Sequence, residues 1–509
     1  MFAFMERFFE RLDGLVGIEK NDTAVKWLER TAFVFLILMV ASAPHSIAAT
    51  QTAWIIGMLA WIVRLFFKPR VKFRFGPLDA ALWAFFIWSA LTSIGSYAPD
   101  ISVDKLRGTA VFLIFYFVIY NVRNLRSVHF LAYALIVSCM VNVLWVPVER
   151  LIGRGVEIHG LAPDGPLAKA LLWEGDTLLT ADGRKLRTPE DVLSAVDQNE
   201  TTKIKFYRPD FEFSVDVKRA DILAGSNAIE RLGFASWKKS RNWRSSGFYG
   251  HYTTYAEVLQ LIASLVLGLL VAWFASRKKY SERRSTMPPA LLFAMLAAMC
   301  LALLLTVTRA PQLGFIVSAG VIVLAGLGRK WLLRAAVIGL PIVIIGLLFL
   351  QQSRQVGFFD PNDDSIKWRQ TVWQEGFDLW TSSQRNFVLG VGMDSIKRYA
   401  GEWHLFDDGR LNMGHFHSTP LQLLVERGLF GLLIWLIVLG IYARTLWRGL
   451  GRISSPIDKG ILLGCLGGAA GFFASSLVHY NLGDQEVAMV FFILMGFGVR
   501  VTEHSGQAD

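Results

Sequence analysis

The sequence predicts an all-α polytopic membrane protein of about twelve transmembrane helices, with one small α+β insert on its outer side. Three observations predict it. Hydrophobic residues make up 53% of the 509 positions and charged residues only 18%, with a mean hydropathy of +0.41; a soluble chain of this length needs far more polar surface. Apolar runs of about 20 residues, long enough to cross a bilayer, recur along the chain. Lys and Arg collect between those runs, as in cytoplasmic loops of membrane proteins. The net charge of +11 therefore reads as topology, and no nucleic-acid partner is expected.

Residues 1–30 are amphipathic and charged, without a cleavage-site pattern, and are expected to lie as a cytoplasmic interfacial helix. Spans are expected near 31–47, 49–67, 77–96, 108–122 and 128–148, making a first membrane block over 31–148. Four more (252–275, 289–307, 311–328 and 335–351) make a block over 252–351, and three (428–447, 460–479 and 485–502) make one over 428–502. Each even-numbered span is followed by basic residues: Arg64 to Arg74, Arg123 and Arg126, Arg277 to Arg284, Arg329 to Arg334, Arg444 to Arg452. Both termini, including the tail 503–509, are then cytoplasmic, and the long segments 149–250 and 352–427 are external. Cys139, Cys300 and Cys465 each lie in an apolar run, with no disulfide or metal-ligand spacing.

Within the first external segment, residues 151–219 read as a soluble module. A strand at Gly155–His159 is followed by Ala162–Ala170 entering a short helix, the segment Glu174–Leu179 and a turn at Asp182-Gly183. A helix from Thr188 to Val196 and strands at Lys203–Tyr207 and Glu212–Val217 follow. This order, with its "GD…DG…TPED" landmarks, resembles the carboxy-terminal part of a bacterial PDZ domain. The resemblance implies a peptide or protein partner added as a strand; a rigid spacer is the equal alternative.

Chemistry is expected first at His417. It closes the polar loop 352–427 just before a membrane helix, where Ser418 or Thr419 can cap the helix and Pro420 fits its first turn. Histidine exchanges protons near neutral pH, and a helix N-terminus favours an anion beside it. His415 has the weaker claim, as a loop histidine. Arg309 lies on a short outer turn between two apolar spans, where it either binds an anion or reaches to headgroups. A guanidinium grips phosphate oxygens in two-pronged fashion. Arg244 is a second candidate phosphate contact, in Arg241-Asn242-Trp243-Arg244-Ser245-Ser246-Gly247. Arg241, His251 and Arg369 are secondary candidates; a basic rim facing lipid is the alternative for the first and for Arg244. Gly390-Val391-Gly392 reads as a turn, lacking the Lys-Ser/Thr of a nucleotide loop. No metal ligand set is apparent, since His415 and His417 have no clustered carboxylates.

Three of these elements resemble the O-antigen ligase and polymerase superfamily of bacterial envelope glycosyltransferases. Its pattern of His, then Asn/Ser/Gln, nine residues, and Gly-x-x-Gly is met by His417, Ser418, Gly428 and Gly431. Its Arg-x-x-x-Leu element is met by Arg309 and Leu313, and Arg244 to Gly247 is a looser match to Arg-x-x-Gly. The resemblance implies a GT-C-like membrane fold and a bacterial inner-membrane location with the site facing the periplasm. It implies metal- and ATP-independent, inverting transfer, with no cofactor, from a glycan on undecaprenyl pyrophosphate. The implied acceptor is a sugar hydroxyl of lipid A–core or another glycan, with His417 as base and Arg309 and Arg244 on the pyrophosphate. A polymerase of carrier-linked repeat units and a protein O-oligosaccharyltransferase are the alternatives. A transporter should carry ionisable residues at mid-span, and here Glu257 is the main one, near an outer end. An intramembrane protease has no motif here, neither His-Glu-x-x-His nor Gly-x-Ser-Gly.

Overall fold

The apolar runs form helices, and the segment after 150 forms a sheet. The computed structural model describes residues 10–17, 23–208, 211–276, 287–354, 364–411 and 413–505. Of the expected interfacial helix, 10–16 are helical and 1–9 and 18–22 lie outside the described residues; so do the basic residues Arg277 to Arg284 and the tail from 506. Two compact units emerge: 1–142 with 248–509, and 143–247.

The protein is a mostly helical multi-pass membrane protein. Among the described residues eight helices are long and apolar enough to span a bilayer: 47–64, 77–94, 125–152, 252–276, 309–327, 419–450, 456–476 and 485–504. The other four expected spans are also helical but differ in character. Thr23–Ser42 carries Lys26, Glu29 and Arg30 in its first turns. The region of 108–122 is broken into Pro99–Thr109, a 3-10 turn at Ala110–Phe112, and Leu113–Asn121. Pro289–Leu305 has only 17 residues, and Arg329–Arg354 contains Pro341. A count of apolar residues does not register such breaks and ionic turns.

The centre of the bundle is Tyr252–Ser276, buried nearly all round, as an innermost helix must be. Its main neighbour, Pro456–Ser476, meets it through small residues. A Cβ on Gly464 would lie 2.5 Å from Leu265 Cα and 3.0 Å from the Ser264 carbonyl. Such residues let backbones approach where lipid supplies no hydrophobic drive. Gly464→Val is accordingly expected to cost about 1–3 kcal/mol of stability, read as a lower unfolding temperature in detergent with insertion unchanged. At one end of the bundle buried Glu29 accepts hydrogen bonds from Arg64 (2.8 Å) and Arg123 (2.6 and 3.1 Å). Two of the basic exits thus share one end, as their charge pattern requires.

Among the described residues the 143–247 unit contains six antiparallel strands: β1 (Arg154–Leu161), β2 (Thr177–Ala181), β3 (Arg184–Lys185), β4 (Thr201–Arg208), β5 (Phe211–Lys218) and β6 (Phe234–Ser240). Their order is β5-β4-β2-β1-β6, with β3 beside β2. Helix Pro189–Gln198, capped by a Thr188/Asp191 box, covers a core of Val156, Ile158, Leu178, Val192, Val196 and Ile204. The sheet runs on past 219: β6 pairs along β1, Ile158 opposite Trp237. Its polar Ser236, Lys238 and Lys239 hid this strand from periodicity.

Candidate functional site

His417 stands at the entry to helix Thr419–Leu450. Ser418 is the N-cap, its Oγ accepting from the Leu421 N–H at 3.4 Å, and Pro420 occupies the first turn. His417 adopts a left-handed φ of 50°, uncommon for a residue with a Cβ and costing roughly 1–3 kcal/mol. Its neighbours hold it there. The His417 N–H donates to His415 Nδ1 (3.2 Å), the Phe416 N–H donates to Gln422 Oε1 (2.9 Å), and Trp373 Nε1 donates to the Phe416 carbonyl (2.9 Å). The Phe416 ring is fully buried. Gln422 is fixed in turn by donating to Glu426 Oε1 (2.9 Å), which also accepts the Asp394 N–H (2.9 Å).

The glycines of the two motifs form one clasp. Gly428, at φ 66°, breaks the helix where a Cβ would lie 2.0 Å from the Val388 carbonyl oxygen. Gly390, at φ 72°, faces it, with a Cβ position 2.4 Å from Glu426 C. Val391 and Gly392 donate N–H bonds to the Val425 (2.8 Å) and Glu426 (3.0 Å) carbonyls. The Gly-Val-Gly turn is therefore a backbone lock on the His417 helix.

Aromatic and basic groups surround the imidazole. The His417 ring meets Trp368 edge-on at 4.9 Å and His415 at 4.1 Å, and Tyr480 lies 5.8 Å from His415. The Arg369 guanidinium covers Trp368 at 4.5 Å. Burial, reinforced by His415, His479, Arg369 and His251, pushes His417 down to about 2. Burial with His479 and Lys397 pushes His415 down to about 4. Both imidazoles are therefore neutral at pH 7, which leaves His417 a free lone pair.

This has a stability consequence. Below its ordinary value near 6.5 the unfolded imidazole takes a proton that the folded one refuses. His417 thus destabilises the fold progressively as pH falls from about 6.5 toward 2, and the penalty is absent above 6.5. The unfolding temperature is expected to drop between pH 7.5 and 5, and to drop less in His417→Gln.

Arg309 is the first residue of helix Arg309–Leu327 and is half-buried. That helix is tied to Tyr252–Ser276 by Gln260 Nε2 donating to Ser318 Oγ (2.7 Å), and Gly314 packs on Gly471. Its start therefore lies where Tyr252–Ser276 begins and Pro456–Ser476 ends. Thr419 meets that same end, its N–H donating to the His479 carbonyl at 3.1 Å. Arg309 and His417 thus share one end of the bundle. His251 is exposed and stacked on Tyr252 at 4.3 Å, its Nδ1 accepting the Thr253 N–H at 3.2 Å. Arg241 and Arg244 belong to the 143–247 unit. There Arg241 is exposed, its carbonyl accepting from Arg150 (3.5 Å), and Arg244 is half-buried.

Two tryptophans of the polar segments are structural. Trp243 is 2% exposed beneath Arg150 and Arg154, and Trp380 is 8% exposed and stacked on Phe387. Sequence reasoning missed Gln422, Glu426 and His479. The signal for the first two was a polar pair four apart in an otherwise apolar turn; for His479 it was an imidazole closing an apolar span.

The O-antigen ligase family model matches residues 294–436. No curated protein matches the chain. The matched segment holds Arg309, Arg369, His415, His417 and both glycines of the clasp, and leaves out Arg241, Arg244 and His251. Residues 294–436 are an O-antigen ligase family domain, and the chain is a membrane enzyme that transfers lipid-linked glycans.

Proposed function

We propose that the chain is an O-antigen ligase-like transferase that moves a glycan from undecaprenyl pyrophosphate to a lipid A–core hydroxyl at the periplasmic face of a bacterial inner membrane. Twelve spans in a GT-C-like arrangement put both termini in the cytoplasm and the His417 end outside. His417 removes the acceptor proton as the hydroxyl attacks the anomeric carbon from the face opposite the leaving diphosphate, which inverts the configuration. Arg309 and Arg244 hold the diphosphate and offset the charge that grows on it, with Arg369 at the rim. The donor carries its own leaving group, so neither ATP nor a metal is called for. His415 positions His417, and the β-sheet unit is PDZ-like and docks a protein or peptide.

The observation that carries this reading is the placement of His417, its ring against Trp368 and His415 at a capped helix N-terminus, inside a segment matching the O-antigen ligase family. The test is transfer by purified chain, in chelator, from a synthetic pyrophosphate-linked donor to lipid A–core. Product on lipid A–core is the expected result. Product only on a second carrier-linked repeat would make the enzyme a polymerase, and product only on protein an oligosaccharyltransferase.

A further inference from the structure

Behind His417 lies a second imidazole with a buried carboxylate at its back. Glu257, on the central helix Tyr252–Ser276, is wholly buried. Its Oε2 accepts from Ser475 Oγ (2.8 Å) and from Asn481 Nδ2 (3.5 Å). Its Oε1 has one neighbour of opposite polarity, His479 Nδ1 at 3.4 Å, and neither atom has another hydrogen-bond partner among the described residues. A carboxylate in a membrane interior needs a proton or a cation beside it. The His479 ring, half-buried, is the group placed to donate to that oxygen through Nδ1.

The pair is fastened to the His417 helix. Thr419 donates its N–H and its hydroxyl to the His479 carbonyl (3.1 Å each), and the same hydroxyl lies 3.1 Å from Asn481 Oδ1. His415 bridges in the other direction, its ring between those of His417 and Tyr480, the residue after His479. Nδ1 is the ring nitrogen nearest the carboxylate, and His479 lies close enough to His417 for its charge to act on that imidazole. A carboxylate behind an imidazole fixes its tautomer and stabilises its cation, and among the described residues none is paired with His417.

Resting on the transfer reaction above, we propose that His479, backed by Glu257, is the proton acceptor behind His417. The acceptor O–H breaks as its oxygen bonds to the anomeric carbon, and the carbon–oxygen bond to the pyrophosphate breaks with its electron pair leaving on the diphosphate. The proton passes to His417 and on to Nε2 of His479, where the imidazolium is held against Glu257 until water takes the proton. His417 is thereby returned to its neutral form for the next turnover. Glu257 acts through His479 and is a positioning residue.

The test uses full-length chain in nanodiscs with a pyrophosphate-linked donor. His479→Ala is expected to lower kcat about 10²-fold, the lower end for general acid–base groups, with donor KM unchanged. Added imidazole should restore part of that rate. Glu257→Gln, which keeps an acceptor for Ser475, should lower kcat with the same unchanged KM. Wild-type kcat in either variant, a loss confined to KM, or a His479→Ala defect that imidazole leaves untouched would overturn the proposal. The base assignment is read separately: wild-type transfer by His417→Ala would remove that assignment whatever the other two variants do.

Discussion

His417→Ala is expected to insert normally and to transfer glycan about 10²–10⁴-fold more slowly, the range typical of a lost general base. Insertion should survive because the contacts that shape this loop run through its neighbours. The Phe416 N–H, the Phe416 carbonyl and the Ser418 cap hold the helix entry without the His417 side chain. Alanine at φ 50° is as strained as histidine there, so the backbone cost is nearly unchanged. The loss should therefore fall on kcat. Counting glycan-bearing lipid A at the cell surface, alongside the amount of membrane-inserted chain, separates the two. Donor accumulating on the carrier lipid in long chains would accompany the loss in a ligase; single transferred repeats would accompany it in a polymerase.

Arg309→Ala is expected to raise donor KM by about 10- to 100-fold, corresponding to a charge-assisted contact of about 1.5–3 kcal/mol. Arg309 begins its helix at the end of the bundle shared with His417, so the positive helix terminus lies at that same end. Arg309→Lys should recover only part of the affinity, since an ammonium cannot form the paired contacts of a guanidinium. An isotherm with a short-chain prenyl pyrophosphate, measured on wild type and both variants, reads the effect without the transfer step. Equal affinity in all three would remove Arg309 from the donor site.

The membrane character was legible in the sequence because burial in lipid is written into composition and run length. All twelve expected spans are helical, but the broken 99–121 region shows why run length alone overcounts clean crossings. Ser418 and Pro420 were legible as a cap because capping is a local interaction. The clasp was not. Gly390 and Gly428 are 38 positions apart in sequence, and only the fold shows that each leaves room for the other's backbone. The same holds for Glu257 and His479, which lie on different helices. Glu257 stood out as an ionisable residue in an apolar run, yet its partner is visible only in three dimensions. Trp243 and Trp380 show the converse: an aromatic in a polar loop looks available until its neighbours are known.

Transfer to lipid A–core requires residue 417 to face the periplasm. A single cysteine placed at 417, in a chain whose Cys139, Cys300 and Cys465 are replaced by alanine, can be challenged with a membrane-impermeant thiol reagent. Labelling in intact spheroplasts is expected for a His417 that faces the periplasm. Labelling only after the cytoplasmic face is opened would put His417 on the side without lipid A–core and rule the transfer reaction out.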